Sequence, residues 1–451
     1  MKNNSKIIFF CSNCGNEYAK WSGQCPACKS WGTLKEIKFS QNKTSNSTND
    51  PPPQLLSFDK IIKEGSVKRQ PSGLKDIDGI LGGGIMPSSI ILFGGEPGIG
   101  KSTLALQIGG NIDNCLYISA EESESQVANR AKRINILSQN LNFSSENKWE
   151  QIQKVIQISC PNLIVIDSIQ TIYSEVLEGF PGSMSQVREC GTQILEFCKK
   201  NQISAIIIGH ITKDGKIAGP KTLEHMVDVV INMEGNAKTD FRTVRTIKNR
   251  FGSTNNTAIF EMTETGLLSI NNPSKFFLSE RLSAVSGSIV VPIIEGNQPI
   301  MIEVQGLVSS ATYGNPQRNT TGFDMRRLSM LLAILDKKLS FKTNTNDVFV
   351  NIVGGLKINE PALDLAVIIA IISSNKDIPI NPNIAVCGEV GLSGEIRSIT
   401  HIDRRINESK KSGFKEIICP LQNINKYKNI PKIKLIGVKS VSEALRYLKL
   451  Y

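Results

Sequence analysis

Residues 95–102 read Gly95-Glu96-Pro97-Gly98-Ile99-Gly100-Lys101-Ser102, preceded by the apolar run IILFG and followed by TLALQIG, which opens on Thr103. The glycines let backbone N–H groups curl around an anion, the lysine can reach β- and γ-phosphates, and the serine hydroxyl can bind Mg²⁺. A strand in front and a helix behind are what that mechanism requires. The stretch therefore predicts a nucleotide-phosphate loop at a strand-to-helix turn, with Thr103 packing or making a secondary phosphate contact. On its own, such a loop says only that a phosphate is held.

Outward from the loop, short apolar strands alternate with helical patterns. The expected strands are Ile90–Gly94, Cys115–Ser119, Leu163–Asp167, Ala205–Gly209 and Val229–Met233. This alternation predicts an α/β fold with a mainly parallel, covered sheet. Phe241 to Ile270 reads instead as antiparallel strands, and Asn271-Asn272-Pro273 ends the pattern. Upstream, Gln41 to Gln54 (QNKTSNSTNDPPPQ) has the composition of a linker. The expected division is a four-cysteine module at 1–35, a linker at 36–56, a nucleotide-binding domain at 57–272 and a third region at 273–451.

Hydrolysis asks for two acids. LIVIDS places Asp167 at a strand end, where it can position magnesium. Ser119-Ala120-Glu121-Glu122 follows another strand, and Glu121 can activate water. Helix capping or a place in a first helical turn are the competing readings, and Glu122 is the expected helix-start residue. A third strand, AIIIGH, ends in His210, placed to sense a γ-phosphate. The loop after it, TKDGKIAGPK, carries Lys213, Lys216 and Lys221 among glycines. It suits DNA gripped and released through a nucleotide cycle, or it is an ordinary solvated loop.

Cys11-x2-Cys14 and Cys25-x2-Cys28 form two knuckles that can close a tetrahedral four-thiolate site, which suits structural Zn²⁺ and leaves no open position for catalysis. Lys20, Trp21 and Trp31 around it either touch nucleic acid or, for the tryptophans, pack the miniature core; packing is the default expectation. The other cysteines (Cys115, Cys160, Cys190, Cys198, Cys387 and Cys419) read as small core residues.

Composition bounds the rest. A hydrophobic content of 40% and a charged content of 21% describe a soluble globular chain. A formal charge of +11 favours a polyanionic partner, or reflects lysine-rich codon usage. The longest apolar run, Leu365 to Ile372, is too short to span a membrane. A cytoplasmic location is expected, and no membrane partner.

Read in order, PSGLKDIDGILGGGI, the phosphate loop, ISAEES, LIVIDSIQT, GHITKDGKIAGPKTLEHMVD and the KNRFG of Lys248-Asn249-Arg250-Phe251-Gly252 resemble the bacterial RadA/Sms DNA-repair ATPases. The resemblance covers essentially the whole chain apart from the linker. It implies a RecA-like P-loop core with a zinc ribbon or knuckle before it and a Lon-protease-like α/β domain after it. It also implies ATP and Mg²⁺ between the subunits of a hexameric ring, with Lys248 and Arg250 serving nucleotide or DNA handling, the former as trans-acting fingers; a basic turn between strands is the competing reading. The implied partners are single-stranded and branched DNA and the RecA recombinase. The implied activity is branch migration driven by translocation on single-stranded DNA.

GGLKINEPALDLAVIIAIISS and CGEVGLSGEIRSITHIDRRI look like the two blocks of a Lon-type peptidase. That peptidase uses a Ser–Lys dyad. At the serine's position stands Ala362 and at the lysine's Asp403, so the domain is expected to be a scaffold and not a protease. Arg318, Arg326, Arg327, Lys337 and Lys338 form either a basic surface there or solvated helix faces.

Overall fold

A computed structural model describes residues 6–11, 16–27, 29, 31–39, 68–136, 139, 141–177, 179–210, 221–235, 240–282, 284–311, 316–343, 345–425, 427 and 430–451. The chain divides into two compact units, Met1–Glu234 with Arg242–Thr254 and Met262–Leu268, and Gly235–Phe241 with Asn255–Glu261 and Ser269–Tyr451.

The first unit begins with a small antiparallel sheet of β1 (Lys6–Cys11), β2 (Glu17–Tyr18) and β3 (Leu34–Phe39), in the order β2-β1-β3. Among the described side chains Cys11, Cys25 and Leu34 are buried, with Phe9 and Tyr18 packed against them. A segment of this length does not hold a fold unaided. β3 runs past the expected module boundary at residue 35, because alternating LKEIKF pairs along the whole of β1.

The large sheet contains β4 (Ile90–Gly95), β5 (Cys115–Ser119), β6 (Leu141–Ser144), β7 (Leu163–Asp167), β8 (Ser204–His210), β9 (Val229–Glu234), β10 (Phe241–Asn249), β11 (Thr257–Thr263) and β12 (Gly266–Ser269). Its order is β12-β11-β10-β9-β4-β8-β7-β5-β6, and β4 to β9 run parallel. Every residue of β4, β5 and β7 is buried. A sheet covered on both faces demands such continuous apolar runs. β6 is the strand that periodicity misses: LNFS is only partly buried and carries no apolar run. β10 pairs antiparallel with β9, as Phe241 to Ile270 predicts. One face packs Ile90, Leu92, Ile164 and Ile166 against Trp149, Ile152, Val187 and Ile194 of helices Trp149–Ser159 and Met184–Lys200.

The second unit opens with helix Pro273–Leu278, started by the Asn272 side chain accepting from the Lys275 N–H, with proline in the first turn. Its sheet holds β13 (Ser288–Glu295), β14 (Gln298–Ser310), β15 (Arg318–Thr321), β16 (Asn346–Ile352), β17 (Ile384–Val386), β20 (Glu416–Pro420) and β21 (Lys434–Val438), in the order β15-β16-β14-β13-β17-β20-β21. β18 (Glu389–Val390) and β19 (Ile396–Arg397) form a separate pair. Helix Asp364–Lys376 carries the longest apolar run and is buried on all sides from Asp364 to Ser373, which explains its apolarity without a membrane. Among the described residues no helix is long and apolar enough to cross one.

Candidate nucleotide site

The register brings the site together at the carboxyl ends of the parallel strands. Gly95 of β4 lies opposite His210 of β8, and Ser119 of β5 lies opposite Asp167 of β7. This is the edge of an open α/β sheet where ligands bind. The loop leaves β4 at Gly95 and enters helix Lys101–Gly110. Gly100 has φ +115°, and a Cβ there would sit 2.4 Å from Met262 Cε, so only glycine fits. Arg242 of β10 holds the loop from outside: its Nε donates to the Ile99 carbonyl at 2.9 Å.

Lys101 is 3% exposed. Its Nζ donates to the carbonyls of Gly95 at 2.8 Å and Glu96 at 2.7 Å. Burial lowers its pKa to about 8, against the opposing pull of Asp167, Glu121 and Glu96. Asp167 shows the complementary effect. Burial raises its carboxyl above the usual range, hydrogen bonds from Tyr117 and Ser102 oppose the rise, and Glu121 and Glu122 add to it. A hydroxyl and a buried carboxylate in contact, with further acids close by, are an oxygen-only donor set of the kind Mg²⁺ takes. The residues therefore fit that ion.

Glu121 is exposed at the rim and accepts a hydrogen bond from the Ser168 hydroxyl. The Asp167–Ser168 peptide is cis. Glu122 does not start a helix. It pairs with Arg130, while Ser123 caps helix Glu124–Arg133 in a capping box with Gln126. The reason is local: Ser-x-x-Gln satisfies the helix's first N–H groups better than a glutamate one residue earlier.

Lys213 and Lys216 lie outside the described residues, and Lys221 begins helix Lys221–Met226. The KNRFG stretch ends β10 at the other edge of the sheet. Asn249 pairs with Val229, which pairs with Ile91, whereas Gly95 pairs with Met233. Four residues of strand, about 13 Å, separate the two ends. Lys248 Nζ donates to the Glu224, His225 and Val227 carbonyls at 2.9, 2.9 and 2.7 Å. These lie at the carboxyl end of helix Lys221–Met226, where a cation is favoured. Arg250, with a half-exposed side chain, pairs with Asp228 at 3.2 Å, and Asp228 also accepts from the Ile90 N–H at 3.1 Å. Asn249 accepts from the Phe251 N–H at 2.9 Å, and the Phe251 carbonyl accepts from Arg69 at 2.7 Å. Gly252 packs beside Gly82, where an added Cβ on Gly82 would lie 3.6 Å from the Gly252 Cα.

In the cysteine module, Cys11 and Cys25 are buried, while Cys14 and Cys28 lie outside the described residues. Cys11 Sγ is 3.2 Å from Thr33 Oγ1, and Cys25 Sγ is 3.4 Å from the Tyr18 hydroxyl. Buried sulfurs with hydroxyls at hand fit a thiolate site, since each hydroxyl can turn its proton toward the charge. The expectation that Trp21 and Trp31 pack the miniature core is overturned. They are 63% and 75% exposed, on either side of Gly23. The module's core is filled by Leu34, Phe9 and Tyr18 instead. Cys160 also departs from expectation: it is exposed, in the left-handed turn that ends helix Trp149–Ser159.

In the second unit, Ala362 is 1% exposed in the short helix Pro361–Leu363, and Asp403 is exposed in the first turn of helix Ile402–Lys411. The segments carrying them are joined by a pair between Glu360 and Arg405, which is fully buried. Neither Arg318 nor Arg327 forms a free basic surface. Arg327 grips the buried Asp364 with two nitrogens, and Arg318 donates to the Thr343 and Asn346 carbonyls.

Tyr117 and Arg242 lie outside the quoted motifs, and Ser168 and Asp228 lie within them without having been given a role. Tyr117 alone left a trace, because a tyrosine in a fully buried strand needs a partner for its hydroxyl.

Known proteins match along the whole chain. The family model described as "Rubredoxin metal binding domain" matches residues 9–36, "KaiC" matches 70–150 and "Subunit ChlI of Mg-chelatase" matches 304–423. "DNA repair protein RadA" of Halalkalibacterium halodurans is 42% identical over 450 residues, covering 98% of each chain. That of Bacillus subtilis is 42% identical over 454 residues, again covering 98% of each. That of Aquifex aeolicus is 46% identical over 419 residues, covering 92% of this chain and 94% of its own.

Proposed function

The chain belongs to the RadA family of DNA repair proteins, and from that premise we propose that its ATPase is DNA-dependent and moves recombination intermediates. The observation that carries the reading is the convergence of Lys101, Ser102, Asp167 and Glu121 on one edge of the sheet. Lys101 meets the β/γ-phosphates, and loop N–H groups from Gly95 to Thr103 cradle them. Ser102 and Asp167 hold Mg²⁺, which when bound neutralises charge on the phosphates. Glu121 orients the attacking water and takes its proton.

The opposite placement of KNRFG supports a role in trans. Arg250 follows the end of β10, which lies about 13 Å of strand from its own loop, so the nucleotide it reaches belongs to another subunit. A hexameric ring that places ATP between subunits satisfies this. Lys248 has a structural share in the task, tying the end of helix Lys221–Met226. Lys213, Lys216 and Lys221, with the exposed Trp21 and Trp31 next to Lys20, supply cations and aromatic faces for single-stranded DNA. Four cysteines hold structural Zn²⁺, and the second unit serves assembly and DNA without proteolysis. Branch migration of joint molecules made by RecA is the physiological work this implies.

The test is ATP turnover with and without single-stranded and branched DNA. The reading expects stimulation of about tenfold or more, on the scale of cations brought to a γ-phosphate. Equal rates with and without DNA favour a nucleotide-gated binding module that never translocates.

A further inference from the structure

Two hydroxyls link the strands that deliver the two acids. Tyr117 is in β5, and its hydroxyl donates 2.6 Å to Asp167 Oδ2 at the end of β7. Ser168, the residue after β7, donates to Glu121 Oε1, just beyond β5. Each strand thus supplies a hydroxyl to the acid of its neighbour. Both donors are fully buried.

We propose that Tyr117 and Ser168 form a crossed brace in which each positions one carboxylate for a separate task, Tyr117 the metal-holding Asp167 and Ser168 the proton-accepting Glu121. This rests on the roles given above to those two acids.

Two carboxylates brought to neighbouring strand ends repel each other. A hydrogen bond to each fixes where it stands. Tyr117 suits the task because its fully buried hydroxyl reaches Asp167 directly from the neighbouring strand. Its bond occupies Oδ2 of Asp167, and Ser102 donates to the same carboxylate. Glu121 stands at the exposed rim, where a free side chain samples many rotamers. Ser168 selects one of them.

The two bonds separate in their effects. In the full-length chain, Tyr117→Phe keeps the ring and removes the oxygen. The Mg²⁺ concentration needed for half-maximal binding of a fluorescent ATP analogue then rises about tenfold, the scale of one hydrogen bond to a charged group. Binding at saturating Mg²⁺ stays normal, which also shows that the variant is folded. Ser168→Ala leaves the metal requirement alone, lowers kcat about tenfold at unchanged KM, and shifts the acid limb of the pH–rate profile. Ser168→Thr, which restores the hydroxyl, recovers part of that loss. A wild-type metal requirement in Tyr117→Phe overturns the brace, as does a shift of the same readout by both variants. Asp167→Asn and Glu121→Gln tell the two levels apart. If these abolish turnover while the hydroxyl variants are silent, only the brace fails. If they turn over normally, the assignment of the acids fails with it.

Discussion

Two buried clusters, one in each α/β unit, treat charge in opposite ways. In the second, the fully buried Arg405 donates to the Pro292 and Thr400 carbonyls at 2.6 and 3.0 Å and pairs with Glu360. Buried Asp364 is gripped by Arg327 and accepts from the Val390 N–H at 3.1 Å. In the first, Asp167 sits among other acids with hydroxyl partners, and Lys101 leans on loop carbonyls. A balanced buried pair is structural. A charge left poised against burial at a sheet edge is what a ligand completes. The two clusters are thus told apart by how their charges are matched.

That contrast can be broken in order of effect. Lys101→Ala should abolish ATP turnover, a loss of about a hundredfold or more, with an unchanged far-ultraviolet circular dichroism spectrum; turnover at the normal rate would return the loop to a purely structural role. Arg405→Ala should act on stability instead. Removing one partner of a buried pair costs about 3–5 kcal/mol, readable as a lower midpoint in urea unfolding. A midpoint matching the parent would mean that Glu360 relaxes into water without penalty.

A smaller effect concerns pH. Burial holds Lys101 to about 8, and a polyphosphate raises it on binding. Nucleotide affinity is therefore full below that pH and declines as pH rises through it, by up to about tenfold per unit. Titration calorimetry in two buffers of different ionisation enthalpy should show proton uptake on binding near pH 8. Identical heats would place the lysine's titration elsewhere. Smallest of all is a null result: casein incubated with the protein and ATP should remain intact, since Ala362 offers no nucleophile. Fragments of casein would erase the distinction between the units.

Much of this contrast was legible in the sequence, for a physical reason. β4, β5 and β7 are buried on both faces and so read as unbroken apolar runs, and the phosphate loop needs residue types that few other structures need in that order. Asp167 and Glu121 follow from their places at strand ends. β6 stayed hidden because LNFS, only partly buried, has no need of such a run. Tyr117, Ser168 and Arg242 stayed hidden because their meaning lies in which partner the fold brings near, and spacing along the chain does not encode that. Trp21 and Trp31 were misjudged by the general rule that large aromatics fill cores. Among the described residues, Leu34, Phe9 and Tyr18 pack around the buried cysteines and both tryptophans stay outside.

Those outward tryptophans have an optical consequence. The chain holds three tryptophans, and the third, Trp149, is sealed in the core at 0% exposure. Its emission is blue-shifted background, indifferent to quenchers in solution. Iodide, acrylamide or a stacked nucleobase can darken only the pair on the cysteine module. The unlabelled protein therefore carries a built-in lamp for that module, with its own internal reference.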